Sequence, residues 1–256
     1  MLKTLLTHPL VRGLDLDDPA TTAVKRRLVK DKAFLRRIYE EWYAMIVGAL
    51  PSGGQPILEL GSGPGFFAER HDGVIGSEVF PCPGVQVVLD GGRLPFAEGS
   101  LRAIVMTDVF HHLPDVGAFF REATRCVAPG GRIVMIEPWT TAWSKLIYGH
   151  FHHEPFDPTA KEWALPCGGP VSGANGALPW IVFERDREAF DRAFPLWRIG
   201  LIEPFMPFRY LVSGGVSMRS LMPGAAFPAW RGFETLVQPW ARSLAMFALI
   251  VVDRVR

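Results

Sequence analysis

Ile57-Leu58-Glu59-Leu60-Gly61-Ser62-Gly63-Pro64-Gly65-Phe66 is a short apolar run that stops at three glycines alternating with other residues. A buried parallel strand ends this way when it runs into a loop. Glycines there permit positive φ and let a ligand lie against the main chain. The reading predicts a helix directly after the loop, whose free N–H groups would face a carboxylate or phosphate. Glu78 stands nineteen positions beyond Glu59, just past a second, weaker run at Val74-Ile75. An acid there is placed to accept hydrogen bonds from ribose hydroxyls across the loop.

Working outward, three more apolar runs end in acids. Val85-Gln86-Val87-Val88-Leu89 stops at Asp90, Ala103-Ile104-Val105-Met106 at Thr107-Asp108, and Arg132-Ile133-Val134-Met135-Ile136 at Glu137-Pro138. Open α/β sheets bind ligands at such strand ends. Between the last two runs the spacing predicts a helix, N-capped by Asp115, with Val116, Phe119, Phe120, Ala123 and Val127 on its apolar face and Gly130-Gly131 as its stop. Strand, helix, strand at this spacing is a right-handed crossover between parallel strands, so the fold class is α/β. The link from Glu78 to Val85 is too short for a helical crossover, which takes a dozen or so residues.

The chain has 256 residues, 48% of them hydrophobic, enough for a real core. It divides into an N-terminal helical lead (residues 1–50), a core (51–137 and 195–256) and an insertion (138–194). In the lead, Phe34, Ile38, Trp42, Met45 and Ile46 make one apolar stripe over a helix spanning residues 20–50. Lys25, Arg26, Arg27, Lys30, Lys32, Arg36 and Arg37 crowd the same lead. They form a solvated face, or attract an anionic substrate or lipid surface. The insertion carries Trp139, Trp143, Tyr148, Phe151, Phe156, Trp163, Trp180 and Phe183 among Pro and Gly, and reads as a lid. Later runs at Ile199–Ile202 and Phe247–Val252 are strand-like, with a helical region around Trp230 to Trp240 between them. A net charge of +1 gives no global pull toward nucleic acid, and the three cysteines neither form a disulfide framework nor sit at CxxC spacing. No apolar run reaches bilayer-spanning length, and the N-terminus lacks a secretory pattern, so a cytoplasmic, soluble protein is expected.

With these residues in order, the sequence resembles the class I S-adenosylmethionine-dependent methyltransferases, in the branch that includes small-molecule and quinone-type enzymes. The resemblance rests on Glu59 to Gly65, Glu78, Asp90-Gly91 with Leu94-Pro95-Phe96, Thr107-Asp108-Val109-Phe110-His111-His112-Leu113, and Pro129-Gly130-Gly131-Arg132. It implies a Rossmann-like, seven-stranded, mostly parallel sheet with flanking helices, and S-adenosylmethionine as cofactor. By position it implies that Gly61, Ser62, Gly63 and Gly65 admit the methionine part, that Glu59 orients its ammonium, and that Glu78 holds the ribose. Asp90 and Gly91 would meet the adenine, and Thr107 and Asp108 would close the site near the sulfonium. Two rivals stand beside it. A nicotinamide-dependent oxidoreductase would show GxGxxG, whereas here the third glycine comes one residue early. A noncatalytic module binding the cofactor or its demethylated product shares the fold without the chemistry.

Methyl transfer from a sulfonium requires an aligned nucleophile and, for most acceptors, a group that takes a proton. Histidine suits that near neutral pH, and five of the seven histidines fall in His111-His112 and His150-Phe151-His152-His153-Glu154. The first pair reads as wall or packing. In the second, His152, His153 and Glu154 are the candidate catalytic residues, since a histidine beside a carboxylate is held in one tautomer. Their spacing matches no zinc pattern, so no metal ligand is assigned. Asn175 followed by Gly reads as a turn or an acceptor-orienting amide. The expectation is methyl transfer to a small or medium-sized, partly apolar or lipid-like acceptor, with no nucleic-acid partner and with peripheral membrane contact through the basic lead left open.

Overall fold

Ala103 to Met106, Ile133 to Ile136 and Phe247 to Val252 read as unbroken apolar runs because each strand is covered on both faces. In the last run, Phe247, Leu249 and Val251 enter one core cluster while Ala248, Ile250 and Val252 enter the other. The computed structural model describes residues 6–151, 154–165, 168, 169 and 172–255.

Seven strands form one sheet: β1 (Ile57–Glu59), β2 (Val74–Glu78), β3 (Val87–Val88), β4 (Leu101–Thr107), β5 (Val127–Pro138), β6 (Trp197–Phe205) and β7 (Phe247–Arg254). Their order is β3-β2-β1-β4-β5-β7-β6. β1 to β5 run parallel, with Ile57 beside both Val74 and Ala103, and β7 inserts antiparallel between β5 and β6. This is the seven-stranded, mostly parallel sheet that the resemblance implied. The strand order reverses between β1 and β4, which opens a crevice at their carboxyl ends.

The lead forms two helices, α1 (Pro19–Asp31) and α2 (Ala33–Ala49), where one was expected. Lys32, with extended backbone, divides them. The crossover helix is α3 (Val116–Cys126), capped by Asp115 accepting from the Ala118 amide. α3 stops at Cys126, four residues before the glycines expected to end it, and Val127 belongs to β5. Gly130 and Gly131 instead lie at an irregularity of β5, where pairing shifts between Leu101 and Ala103.

A larger correction concerns the glycine loop, because no helix follows it. Residues 66–73 make only turns, with the Glu69 and Arg70 amides bonding to the Phe66 and Phe67 carbonyls. The fourteen residues between Glu59 and Val74 must leave the loop, cross over and return beside β1, which leaves little chain for a regular helix. The link from β2 to β3 also has no helix, as its length requires. α2 takes up the vacant flank. Its face of Phe34, Leu35, Ile38, Tyr39, Trp42, Tyr43 and Ile46 is buried, and it packs in one cluster with Phe66, Phe67, Ile57 and Val105.

Over the opposite face, α3 packs with the far end of the insertion. Phe183 and Phe190 meet Phe120 with ring centroids 6.3 and 5.0 Å away. Phe190 belongs to α5 (Arg187–Ala193), while the near end of the insertion supplies α4 (Ala142–Phe151). α6 (Arg209–Ser213) and α7 (Phe227–Val237) lie on the α2 side, joined by buried Arg209, which pairs with Glu234 and Glu41.

Candidate active site

Glu59 is the last residue of a three-residue strand whose neighbours are apolar, so its carboxylate enters the protein rather than solvent. Ser62 Oγ donates to Glu59 Oε2 at 2.8 Å, and the Ala68 amide donates to the same oxygen at 3.3 Å. Burial pushes this carboxyl up to about 7, against the lowering effect of those hydrogen bonds. The loop that follows needs its glycines. Gly61 has φ +65° and a Cβ there would lie 2.8 Å from both Val109 methyls; a Cβ on Gly65 would lie 2.7 Å from the Tyr43 hydroxyl. Gly63, at φ +46°, donates its amide to Glu78 Oε1 at 2.6 Å. Burial raises Glu78 above the ordinary carboxylate range, offset in part by the Val79 and Gly63 amides.

Past β4 the chain turns sharply. Asp108 has φ +62°, a left-handed conformation that aspartate tolerates better than most residues. Its amide donates to the Ile136 carbonyl at 2.8 Å. Glu137, fully buried at the end of β5, organises the turn with one carboxylate: Oε1 accepts from the Val109 and Phe110 amides at 2.8 and 2.7 Å, and Oε2 lies 2.8 Å from His111 Nδ1. On its other side, His111 Nε2 lies 3.4 Å from Glu154 Oε2. His112 Nε2 lies 3.9 Å from Glu154 Oε1, and its Nδ1 lies 3.1 Å from the Gly173 carbonyl oxygen. Burial opposes charge on His111, yet Glu137 and Glu154 raise it well above the usual imidazole range. His112 is pushed down to about 4 by burial and by His111. Asp108 is raised to about 7, chiefly by burial.

One cavity of about 410 Å³ collects these groups. Glu59, Gly61, Ser62, Gly63 and Gly65 line it from the first strand and its loop. Glu78 lines it from β2, Asp90 and Gly91 from the end of the third strand, and Thr107 and Asp108 from β4. The structure thus brings all ten expected cofactor-side residues to one place. Asp90 also accepts from the Gly92 amide at 2.8 Å, and so turns its own loop. Of the residues expected as catalytic, Glu154 lines the same cavity, whereas His152 and His153 lie outside the described residues.

Several wall residues were not singled out by sequence reasoning. Tyr39 and Tyr43 come from α2 and Tyr210 from α6, and Gly214 to Met218 close another side, while Tyr148, one of the aromatics expected in the lid, joins them from α4. Burial raises all four tyrosines, so each phenol stays protonated. Lys32, at the break between α1 and α2, donates to the Gly215 and Met218 carbonyls and ties that last segment down. The remaining lead cations are largely occupied: Arg26 and Lys30 with Glu69, Arg27 with Asp31, and Arg37 with the Gly224 carbonyl. Lys25 lines the cavity. Asn175 is structural, its Oδ1 accepting from the Asp157 and Ala177 backbone amides, its Nδ2 donating to the Asp157 carbonyl and its backbone N–H to the His111 carbonyl.

Comparison with known proteins bears on the family and the fold. The family model described as a methyltransferase domain matches residues 58–135. An uncharacterized methyltransferase of Mycobacterium marinum is 31% identical over 198 residues, covering 65% of this chain and 76% of that relative. Another from Mycobacterium sp. (strain JLS) is 33% identical over 112 residues, 38% of this chain and 43% of that relative, so the match spans less than half of its length. Among solved structures, geranyl diphosphate C-methyltransferase from Streptomyces coelicolor A3(2), in complex with Mg2+, geranyl diphosphate and S-adenosyl-L-homocysteine, aligns with a TM-score of 0.51 at 17% identity, over 98% of this chain and 91% of that one. A putative methyltransferase complexed with the Haloferax volcanii Trm112 activator gives 0.54 at 14% identity, over 95% and 100%. At these identities the structures share the fold.

Proposed function

The chain belongs to the class I S-adenosylmethionine-dependent methyltransferase family, and from that premise we propose that it moves a methyl group from S-adenosylmethionine to a small or medium-sized, partly apolar acceptor. One observation carries the reading: two buried carboxylates, a bare glycine loop and the ends of β3 and β4 face one cavity, whose other end is walled by tyrosines and Glu154.

The residues fit the cofactor. Gly61 and Gly65 have no room for a Cβ, which would meet the Val109 methyls and the Tyr43 hydroxyl, and both line the cavity with main chain alone. Glu59 is suited to an ammonium, and Glu78, already fixed by the Gly63 amide, keeps lone pairs for the two hydroxyls of a ribose. When bound, S-adenosylmethionine supplies an electrophilic methyl group on a sulfonium, which leaves as the acceptor's new substituent while the electron pair of the broken bond stays on sulfur. Thr107 and Asp108 mark the reacting end of the cofactor pocket. Tyr39, Tyr148 and Tyr210 exclude water and present flat apolar faces to an acceptor. Glu154 is the carboxylate that meets the acceptor's reactive group. A lipid-like acceptor suits the same walls, and the related geranyl diphosphate enzyme acts on a molecule of that character.

Calorimetric titration with S-adenosylhomocysteine and with NADH tests the cofactor. The first is expected to bind and the second is not, and the reverse would refute the proposal. Incubation with methyl-labelled S-adenosylmethionine and an extract of small molecules then identifies the acceptor. Tight binding with no labelled product from any extract would favour a noncatalytic binding module.

A further inference from the structure

The sequence gives no reason to connect His111-His112 with Glu154, which are more than forty residues apart, yet the fold brings all three together at the cavity. The ligand-capable atoms lie within 4.8 Å of one another. We propose that His111, His112 and Glu154 bind a divalent first-row transition-metal ion, with open coordination positions facing the cavity.

Three features of the geometry point there. First, each imidazole has Nδ1 occupied by an acceptor, the Glu137 carboxylate for His111 and the Gly173 carbonyl for His112. Those bonds hold each ring by Nδ1 and leave Nε2 as the atom turned to the site, the arrangement that metal-binding histidines use almost universally; on His111 the ion would displace the Nε2 proton that Glu154 stabilises. Second, His111 is completely buried, and among the described residues its Nε2 makes no hydrogen bond, with Glu154 Oε2 standing off at 3.4 Å. A buried nitrogen whose one neighbour is a carboxylate beyond good hydrogen-bond distance has room for an ion between the two. Third, the spacing is right. An ion about 2.1 Å from each donor requires donors about 3 to 3.5 Å apart; Glu154 Oε2 lies 3.4 Å from His111 Nε2 and Oε1 3.9 Å from His112 Nε2, and one donor from each residue falls within 4.8 Å of the others, so contraction on binding closes the set.

Two imidazoles and one carboxylate suit zinc, iron, cobalt or nickel better than magnesium, which prefers an all-oxygen shell. Three protein ligands leave positions open. His112 and Glu154 line the cavity while His111 lies behind them, so those positions face the acceptor end. An oxygen donor of the acceptor, such as a phenol, enol or carboxylate, would complete the coordination. This last point rests on the methyltransferase reading; the metal site itself does not.

The test uses the full chain, stripped with a chelator and titrated with Zn2+ and Co2+ by calorimetry and visible absorption. One ion per chain is expected, with a Co2+ spectrum of nitrogen and oxygen ligation and no competition from millimolar Mg2+. His111→Ala, His112→Ala and Glu154→Gln should each weaken binding at least a hundredfold, and Glu137→Gln, acting through His111, by about ten- to a hundredfold. Thermal unfolding identifies any variant that fails to fold. Glu154 is at the cavity wall rather than in the core, so Glu154→Gln keeps the test decisive if the histidine variants do not fold. Ion binding equal in wild type and Glu154→Gln, or none above background in wild type, overturns the proposal. S-adenosylhomocysteine titration of wild type is read separately: metal binding without it leaves the site standing and removes the methyltransferase reading, and the converse removes only the metal.

Discussion

The amide of Gly63 donates a 2.6 Å hydrogen bond to Glu78 Oε1, so the glycine loop after β1 is pinned to the end of β2 by the residue expected to hold the ribose. Glu78→Ala therefore removes both a ligand contact and a loop anchor. Leaving a buried amide unpaired costs about 1–3 kcal/mol. Affinity for S-adenosylhomocysteine is expected to fall by more than tenfold and the melting temperature to drop. Glu78→Gln keeps an acceptor for the amide and should lose affinity with a smaller change in melting.

Gly61→Ala tests the cradle itself. The new Cβ would sit 2.8 Å from the Val109 methyls on a backbone with φ +65°. The left-handed conformation alone costs about 1–2 kcal/mol for a residue with a side chain. Calorimetry should show cofactor affinity reduced tenfold or more, while Gly99→Ala, with open space around it and φ +62°, should cost only stability.

Glu59 links affinity to pH. Its folded carboxyl titrates at about 7, raised from 4.5 by burial, so the free protein carries a substantial protonated fraction at neutrality. A bound ammonium favours the ionised form. Binding must then release a proton, and affinity should rise as pH increases through about 6 to 8, by at most about tenfold per unit. Calorimetry in buffers of different ionisation heat measures the release, which should disappear in Glu59→Gln. A flat profile in wild type would contradict this role.

Lys32 fastens the wall segment 214–218 through two carbonyls. Lys32→Met should leave the sheet intact but free that segment, seen as faster limited proteolysis near Gly214 and Gly215 and as weaker cofactor binding. Equal cleavage rates in the two proteins would count against the tether.

Trp42 is fully buried and meets Tyr210 and Phe247 with ring centroids 5.6 and 4.9 Å away. Trp42→Ala is expected to destabilise by about 3–5 kcal/mol in denaturant unfolding, the usual range for removing a large aromatic from a core.

Much of the central sheet could be read from the chain because its strands are buried on both faces, which makes them continuous apolar runs ending in acids. Glu59, Glu78, Asp90 and Asp108 all mark such ends. The missing helix after the glycine loop could not be read in the same way, since Phe66 to Arg70 carry no strong helical period and the covering element comes from far earlier in the sequence. α2 showed its apolar stripe plainly, but periodicity says only that a helix has a buried face and not what that face covers. The His111, Glu137 and Glu154 constellation was also hidden. Its members come from a turn, a strand end and the insertion, and only the tertiary fold makes them neighbours. The one local signal was an acid, Glu137, closing the apolar run from Ile133 to Ile136.

The N-terminal residues also reach the far side of the pocket, where the His8 amide bonds to the Ser217 carbonyl and the Arg219 amide to the Leu6 carbonyl. Contacts spanning two hundred positions close late, because loop entropy must be met before they are rewarded. A nascent chain on the ribosome therefore leaves the segment around Leu6 and His8 without these bonds until most of the polypeptide has emerged. A prematurely terminated product that lacks the last fifth of the sequence would carry every glycine and acid of the loop and still have no chamber to put them in.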